Sequence, residues 1–161
     1  MSISKKVWNI PDLPVYSLAT YDRKSKVNMN ICTYVTAISL KPKLYAVAVY
    51  EKTKTLKNIK NSDICVLQLL SKSQFNLIKK LGQTSGINFD KENYLNNKNF
   101  LEEWENYKVL KNVSGRILLN KKSFQKTGDH YLFIFNVIKS KSYNTDYLNL
   151  KLLSEKKLIR I

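Results

Sequence analysis

Short apolar runs rich in β-branched and aromatic residues alternate with polar turns along this chain, a spacing that predicts a mainly β fold with a few helices. Residues 11–14, P-D-L-P, are extended; residues 15–21, V-Y-S-L-A-T-Y, alternate as a strand; and the polar turn D-R-K-S-K leads to a second strand at 27–31. Two richer runs follow at 34–40 and 44–50, joined by a turn at Lys41-Pro42-Lys43. A Lys-Thr-Lys-Thr segment then leads into a helix over 55–61, in which Leu56 and Ile59 share a face and Asn61-Ser62-Asp63 ends the pattern. Residues 64–70, I-C-V-L-Q-L-L, form a nearly unbroken apolar run of strand length. Ser71 or Ser73 caps a helix carrying Phe75, Leu77, Ile78 and Leu81, with Gly82 as its stop. These elements suggest a hairpin feeding an antiparallel meander, with helices set across it at intervals.

The second half is less regular. Residues 83–89, Q-T-S-G-I-N-F, read as a loop in which Gly86 permits a positive φ and Thr84 and Ser85 offer hydroxyls. Residues 90–108 are polar with scattered aromatics and read as irregular structure with a short helix around 100–107. Strands are expected at 113–119 and 130–138, with 120–129 as a long connection. Residues 147–153 are strand-like or a docking tail, and 155–161 a short charged finish. No internal repeat or low-complexity segment appears.

With 161 residues and 43% hydrophobic content, a single domain over 1–161 with a sizeable core is the natural expectation. No apolar run reaches the roughly 18 residues that a membrane span needs. The N-terminal residues show no signal-peptide pattern, so the expected location is the cytoplasm. Cys32 and Cys65 form neither a C-x-x-C pair nor a metal spacing, and both sit in apolar patterns where a free thiol packs as a small hydrophobe. The net charge of +16 would attract polyanions. Lysine is nevertheless spread along the chain, and arginine, the usual base-reading residue, occurs only at 23, 116 and 160. Most of this charge reads as solvated surface, and specific nucleic-acid binding is not expected.

The chain has one histidine and four glycines. A Ser-His-Asp triad, a multi-histidine metal site and the Gly-rich phosphate loops therefore have little to work with, and no metal site is expected. Small hydroxyl and amide side chains (Asn30, Thr33, Thr36, Ser39) lie along the third predicted strand, and Lys52, Thr53 and Thr55 cluster before the first helix. Hydroxyls, backbone N–H groups at a helix start and a lysine can together surround a phosphate. Strand propensity and N-capping by Thr53 or Thr55 account for the same residues as a plain hairpin.

Several segments resemble the flavin reductase-like family of FMN-binding split barrels. They are T-Y-V-T-A-I-S at 33–39, K-P-K-L-Y-A-V-A-V at 41–49, T-L-K-N-I at 55–59, L-G-Q-T-S-G-I-N-F-D-K at 81–91 and G-D-H-Y-L-F-I-F-N-V at 128–137. The resemblance implies an antiparallel, Greek-key-like split barrel, forming a homodimer whose interface builds two FMN sites. It also implies an NAD(P)H-dependent flavin reductase, with FMN (FAD as the alternative) as cofactor or exchanged substrate and a monooxygenase as a partner. Asn30, Thr33, Tyr34, Val35, Thr36 and Ser39 would lie along the flavin, with Tyr34 larger than the Ser or Asn the family often has there. Lys52, Thr53 and Thr55 would sit near the phosphate, Asn58 would shape the same helix start, and Ser85 and Gly86 would contribute from the loop. His130, in the Gly-Asp-His context, would face the flavin and nicotinamide as the catalytic candidate; a lone histidine can equally be structural. A non-catalytic FMN-binding protein, a ferric-chelate reductase and a polyanion-binding module are the alternatives.

Overall fold

The computed structural model describes residue 7 and residues 10–159. The signal-peptide reading of the first residues and the last two residues of the charged finish lie outside the described residues. In chain order the elements are β1 (Tyr16–Tyr21), β2 (Val27–Met29), β3 (Val35–Leu40), β4 (Lys43–Tyr50), α1 (Lys54–Asn61) and β5 (Ile64–Leu69). A 3-10 turn at Lys72–Leu77 leads into α2 (Ile78–Gly82), followed by α3 (Lys91–Asn97), β6 (Leu101–Trp104) and β7 (Tyr107–Leu110). The chain finishes with β8 (Gly115–Thr127), β9 (His130–Ser142) and α4 (Leu150–Glu155).

Seven strands form one antiparallel sheet in the order β2-β1-β5-β8-β9-β4-β3, and β6 and β7 make a separate hairpin. The two outermost strands of that order, β2 and β3, are consecutive in the chain, joined only by residues 30–34. A flat sheet would hold them about 29 Å apart, at roughly 4.8 Å per strand spacing. The link spans at most about 20 Å when fully extended. The sheet must therefore curl until its edges approach, and no ladder closes the seam between β2 and β3. Instead Cys32 turns back onto β1 through paired bonds with Tyr16, at 2.8 and 2.9 Å.

β1 and β5 are buried along almost their whole length because each face of these strands meets a different core. Ala19, Tyr21 and Val66 join one cluster with Met29, Leu81, Leu95, Leu110 and Leu148, beneath the helices and the β6–β7 hairpin. Leu18, Cys65 and Leu67 join the other, with Val47, Val49, Phe133, Phe135 and, from α1, Leu56 and Ile59. Within β5, Gln68 is fully buried and its Oε1 accepts from Leu110 N at 2.6 Å, tying the small hairpin to the sheet. Among the described residues no helix is long and apolar enough to cross a membrane.

Three expectations are corrected. Residues 120–129 are not a long connection: β8 and β9 pair as far as Thr127 and His130 through a tight Gly128-Asp129 turn, with Gly128 at φ +60°. The outer part of β8 is exposed, so its sequence lacks a buried apolar alternation. Residues 100–107 are not helical; Glu105 and Asn106 both adopt positive φ (52° and 66°) and turn β6 into β7. The helix lies earlier, in α3, where Asp90 caps the start by accepting from Asn93 N at 3.0 Å. Residues 147–153 give only isolated bridges, from Tyr147 to Ser71 and from Asn149 to Pro14, before α4 begins.

Phe133 is fully buried and stacks on Phe135 with ring centroids 5.9 Å apart. Phe133→Ala is expected to destabilise the fold by about 3–5 kcal/mol, and Phe124→Ala, on the exposed hairpin, by much less. Urea denaturation of the two variants, with the same slope as the parent, checks the difference.

Candidate functional site

A cavity of about 410 Å³ opens at the seam of the curled sheet. Its walls come from the β2–β3 link, the end of β4 with the loop into α1, the segment after α2, Lys91 at the start of α3, and His130 at the start of β9.

At one end stands the start of α1. Thr53 has extended backbone angles, and its Oγ1 accepts from Leu56 N at 3.1 Å while donating to Tyr50 O at 2.8 Å. The cap thus fixes where the helix leaves β4. The first turn contains no acidic residue, and Lys52 and Lys54 flank the cap. The positive end of the helix dipole is therefore left without a neutralising carboxylate of its own.

Beneath this end a buried polar network joins α1 to β1 and β2. Asn28 Nδ2 donates to Thr55 Oγ1 at 3.1 Å, Asn58 Nδ2 to Thr20 Oγ1 at 3.2 Å, and Thr20 Oγ1 to Asn28 O at 3.3 Å. All four residues are buried. Gly86 packs directly over this network, where a Cβ would overlap Asn28 Oδ1. Its φ is not positive, so glycine serves here for close approach and not for the left-handed turn the sequence suggested.

At the other end is an aromatic rim. The His130 ring lies 5.5 Å from both the Tyr34 and the Tyr50 ring centroids, and Tyr34 is 62% exposed. His130 Nδ1 is 2.7 Å from Asp129 Oδ1, and the hydrogen bond with His130 holds the Asp129 carboxyl below its usual range.

Of the residues singled out from the sequence, Asn30, Thr33, Tyr34, Lys52, Thr53, Thr55, Ser85, Gly86 and His130 line this one cavity. Asn30 is partly committed, since its Oδ1 accepts from Leu18 N at 2.9 Å. Val35, Thr36, Ser39 and Asn58 do not line it. Val35 packs on the second core, Thr36 is exposed with its hydroxyl donating to Ala37 O at 3.2 Å, and Ser39 sits beside a bulge in the β3–β4 pairing. The sequence reading missed Asn28 and Lys91. Asn28 stands between strand residues where an amide looks like surface, and a lysine in a polar stretch gives no sign of burial. Cys32 also borders the cavity, and burial pushes its thiol up to about 12. Among the described residues no cluster is suited to hold a metal ion.

The family described as flavin reductase like domain matches residues 12–151. No curated protein matches the sequence. Among solved structures, the flavin reductase PheA2 in its native state is similar with a TM-score of 0.72 at 25% identity, over 86% of this chain and 85% of its own. The FMN-binding protein from Thermus thermophilus with bound p-hydroxybenzaldehyde is similar with a TM-score of 0.75 at 17% identity, over 89% and 79%. The NADH:FAD oxidoreductase SgcE6 of Streptomyces globisporus C-1027 gives 0.75 at 14%, over 85% and 79%. The fold is that of the FMN-binding split barrels.

Gly86→Ala is expected to push Asn28 off Thr55, costing about 1–3 kcal/mol, whereas Ser85→Ala at the neighbouring exposed position leaves stability nearly unchanged. Denaturant midpoints of the two variants test this.

Proposed function

The chain belongs to the flavin reductase like domain family, and we propose that it is an NAD(P)H-dependent flavin reductase working on FMN, with FAD as the alternative flavin. The observation that carries this reading is the polarity of the seam cavity, cationic and rich in donors at the α1 end and aromatic at the His130 end. A phosphorylated, flat, aromatic ligand has that same division of properties. When bound, a flavin supplies the hydride-accepting ring at which a nicotinamide is oxidised.

The protein's own part is binding and orientation. The backbone N–H groups at the start of α1, with Lys52, Lys54 and the Thr53 cap, hold the phosphate end. The link at 30–34 lies along the ring, and Asn30 offers its amide NH2 as donor while its Oδ1 accepts from Leu18 N of β1. His130 is held in place by Asp129 and by the two tyrosines, on the side where a nicotinamide would stack. Asn58 acts on the site only through Thr20 and the buried network.

We also assign a homodimer, supported by the exposed apolar residues Ile38 and Leu40 on β3 and Phe124 and Ile138 on the β8–β9 hairpin. Reduced flavin made here would be handed to a monooxygenase.

Purified protein is expected to take up FMN, and anaerobic NADH or NADPH is expected to bleach the visible absorbance of the oxidised flavin. Uptake without bleaching by either nicotinamide would leave a flavin-binding protein, and no uptake would overturn the reading. His130→Ala is expected to raise KM for the nicotinamide or lower kcat by about 10- to 100-fold while FMN affinity changes little; equal loss of both, with lost stability, would make His130 structural. Light scattering is expected to give a dimer mass, reduced to a monomer by Leu40→Glu with Ile38→Glu.

A further inference from the structure

Lys91 is buried, 5% exposed, on the wall of the seam cavity. Its Nζ donates to Met29 O at 2.9 Å and to Leu81 O at 2.6 Å. An ammonium has three N–H donors, so one is left over. Among the described residues no carboxylate answers its charge. On its own helix, Asp90 caps α3 and pairs with Lys26, while Glu92 accepts from Val27 N at 2.8 Å and pairs with Lys108. β2 presents Asn28 and Met29, α2 presents Leu81 with the exposed Lys79 and Lys80, and α1 presents Lys54; the loop at 83–89 carries no titratable group. The charged groups around it are thus cations or acids already engaged. An unpaired buried cation is costly, and burial pulls the Lys91 ammonium down to about 8.

We propose that Lys91 is the internal counter-charge for a phosphate monoester at the α1 end of the cavity, so that phosphate binding is coupled to protonation of Lys91. The proposal rests on the flavin reading of the same cavity. Above about pH 7 the phosphate is a dianion, since its second ionisation lies near 6. Its field favours the charged lysine and raises the group back towards its ordinary range. The sign follows from linkage: phosphate affinity is greatest where Lys91 is already protonated and falls as pH rises through about 8. Riboflavin, which has the ring and ribityl chain but no phosphate, should not show this dependence.

Calorimetric titration of the full chain with FMN and with riboflavin, each in two buffers of different ionisation enthalpy at pH 7 and pH 9, tests the coupling. FMN is expected to take up close to one proton per site at pH 9 and to bind about tenfold more weakly than at pH 7; riboflavin is expected to change in neither respect. Lys91→Arg, which keeps its charge throughout, is expected to abolish the proton uptake and flatten the FMN profile. Lys91→Met is expected to lose FMN affinity at both pH values, with riboflavin binding retained as the sign of an intact cavity. Equal proton uptake with the two flavins, or uptake that survives in Lys91→Arg, would overturn the proposal alone. Failure of both flavins to bind the parent protein would overturn the flavin reading and the proposal together.

Discussion

The link at residues 30–34 is too short to join the edges of a flat seven-stranded sheet, and much of the structure follows from that limit. It forces the sheet to curl and gives β1 and β5 two buried faces. The link itself is left outside any long ladder, because Cys32 pairs only with Tyr16 before the chain departs to β3. Loosely paired backbone at a barrel seam is where a cavity can open without breaking a core, and the side chains of residues 30–34 line it.

A second constraint sets the cavity's other wall. Buried amides and hydroxyls must be satisfied. Thr20, Asn28, Thr55 and Asn58 meet that requirement in one another, which fixes the start of α1 against β1 and β2. Gly86 lets the following loop close over the group. The residues that look like phosphate ligands in sequence therefore divide into two kinds: Lys52 and Thr53 face outwards into the cavity, while Asn58 holds the helix that presents them.

This division explains what was legible beforehand. Residues 43–50, 64–69 and 115–119 carry strand patterns because one or both faces are buried, whereas 35–40, with no fully buried residue, is marked by its β-branched residues, and the turn at 41–42 by proline. The outer half of β8 and the β6–β7 hairpin were illegible because their pairing rests on backbone geometry, on Gly128 and on the positive φ of Glu105 and Asn106, with little burial to leave a periodic trace. The same holds for charge. Most lysines are solvated, as the composition suggested, but Lys121 donates to Ile59 O at 2.7 Å near the end of α1, and Lys91 and Arg116 are almost wholly buried. Nothing in a run of polar letters separates those three from the rest, since their burial is decided by tertiary neighbours.

Cys32 has a consequence for durability. A cysteine on the wall of a cavity meets whatever oxidant enters it, and its first oxidation product is a sulfenic acid. The attacking species is the thiolate, however, and a thiol pushed up to about 12 by burial is almost entirely protonated at neutral pH. The seam thus keeps the sulfur in its wall chemically quiet, so an oxidant diffusing into the cavity would find almost no thiolate to attack.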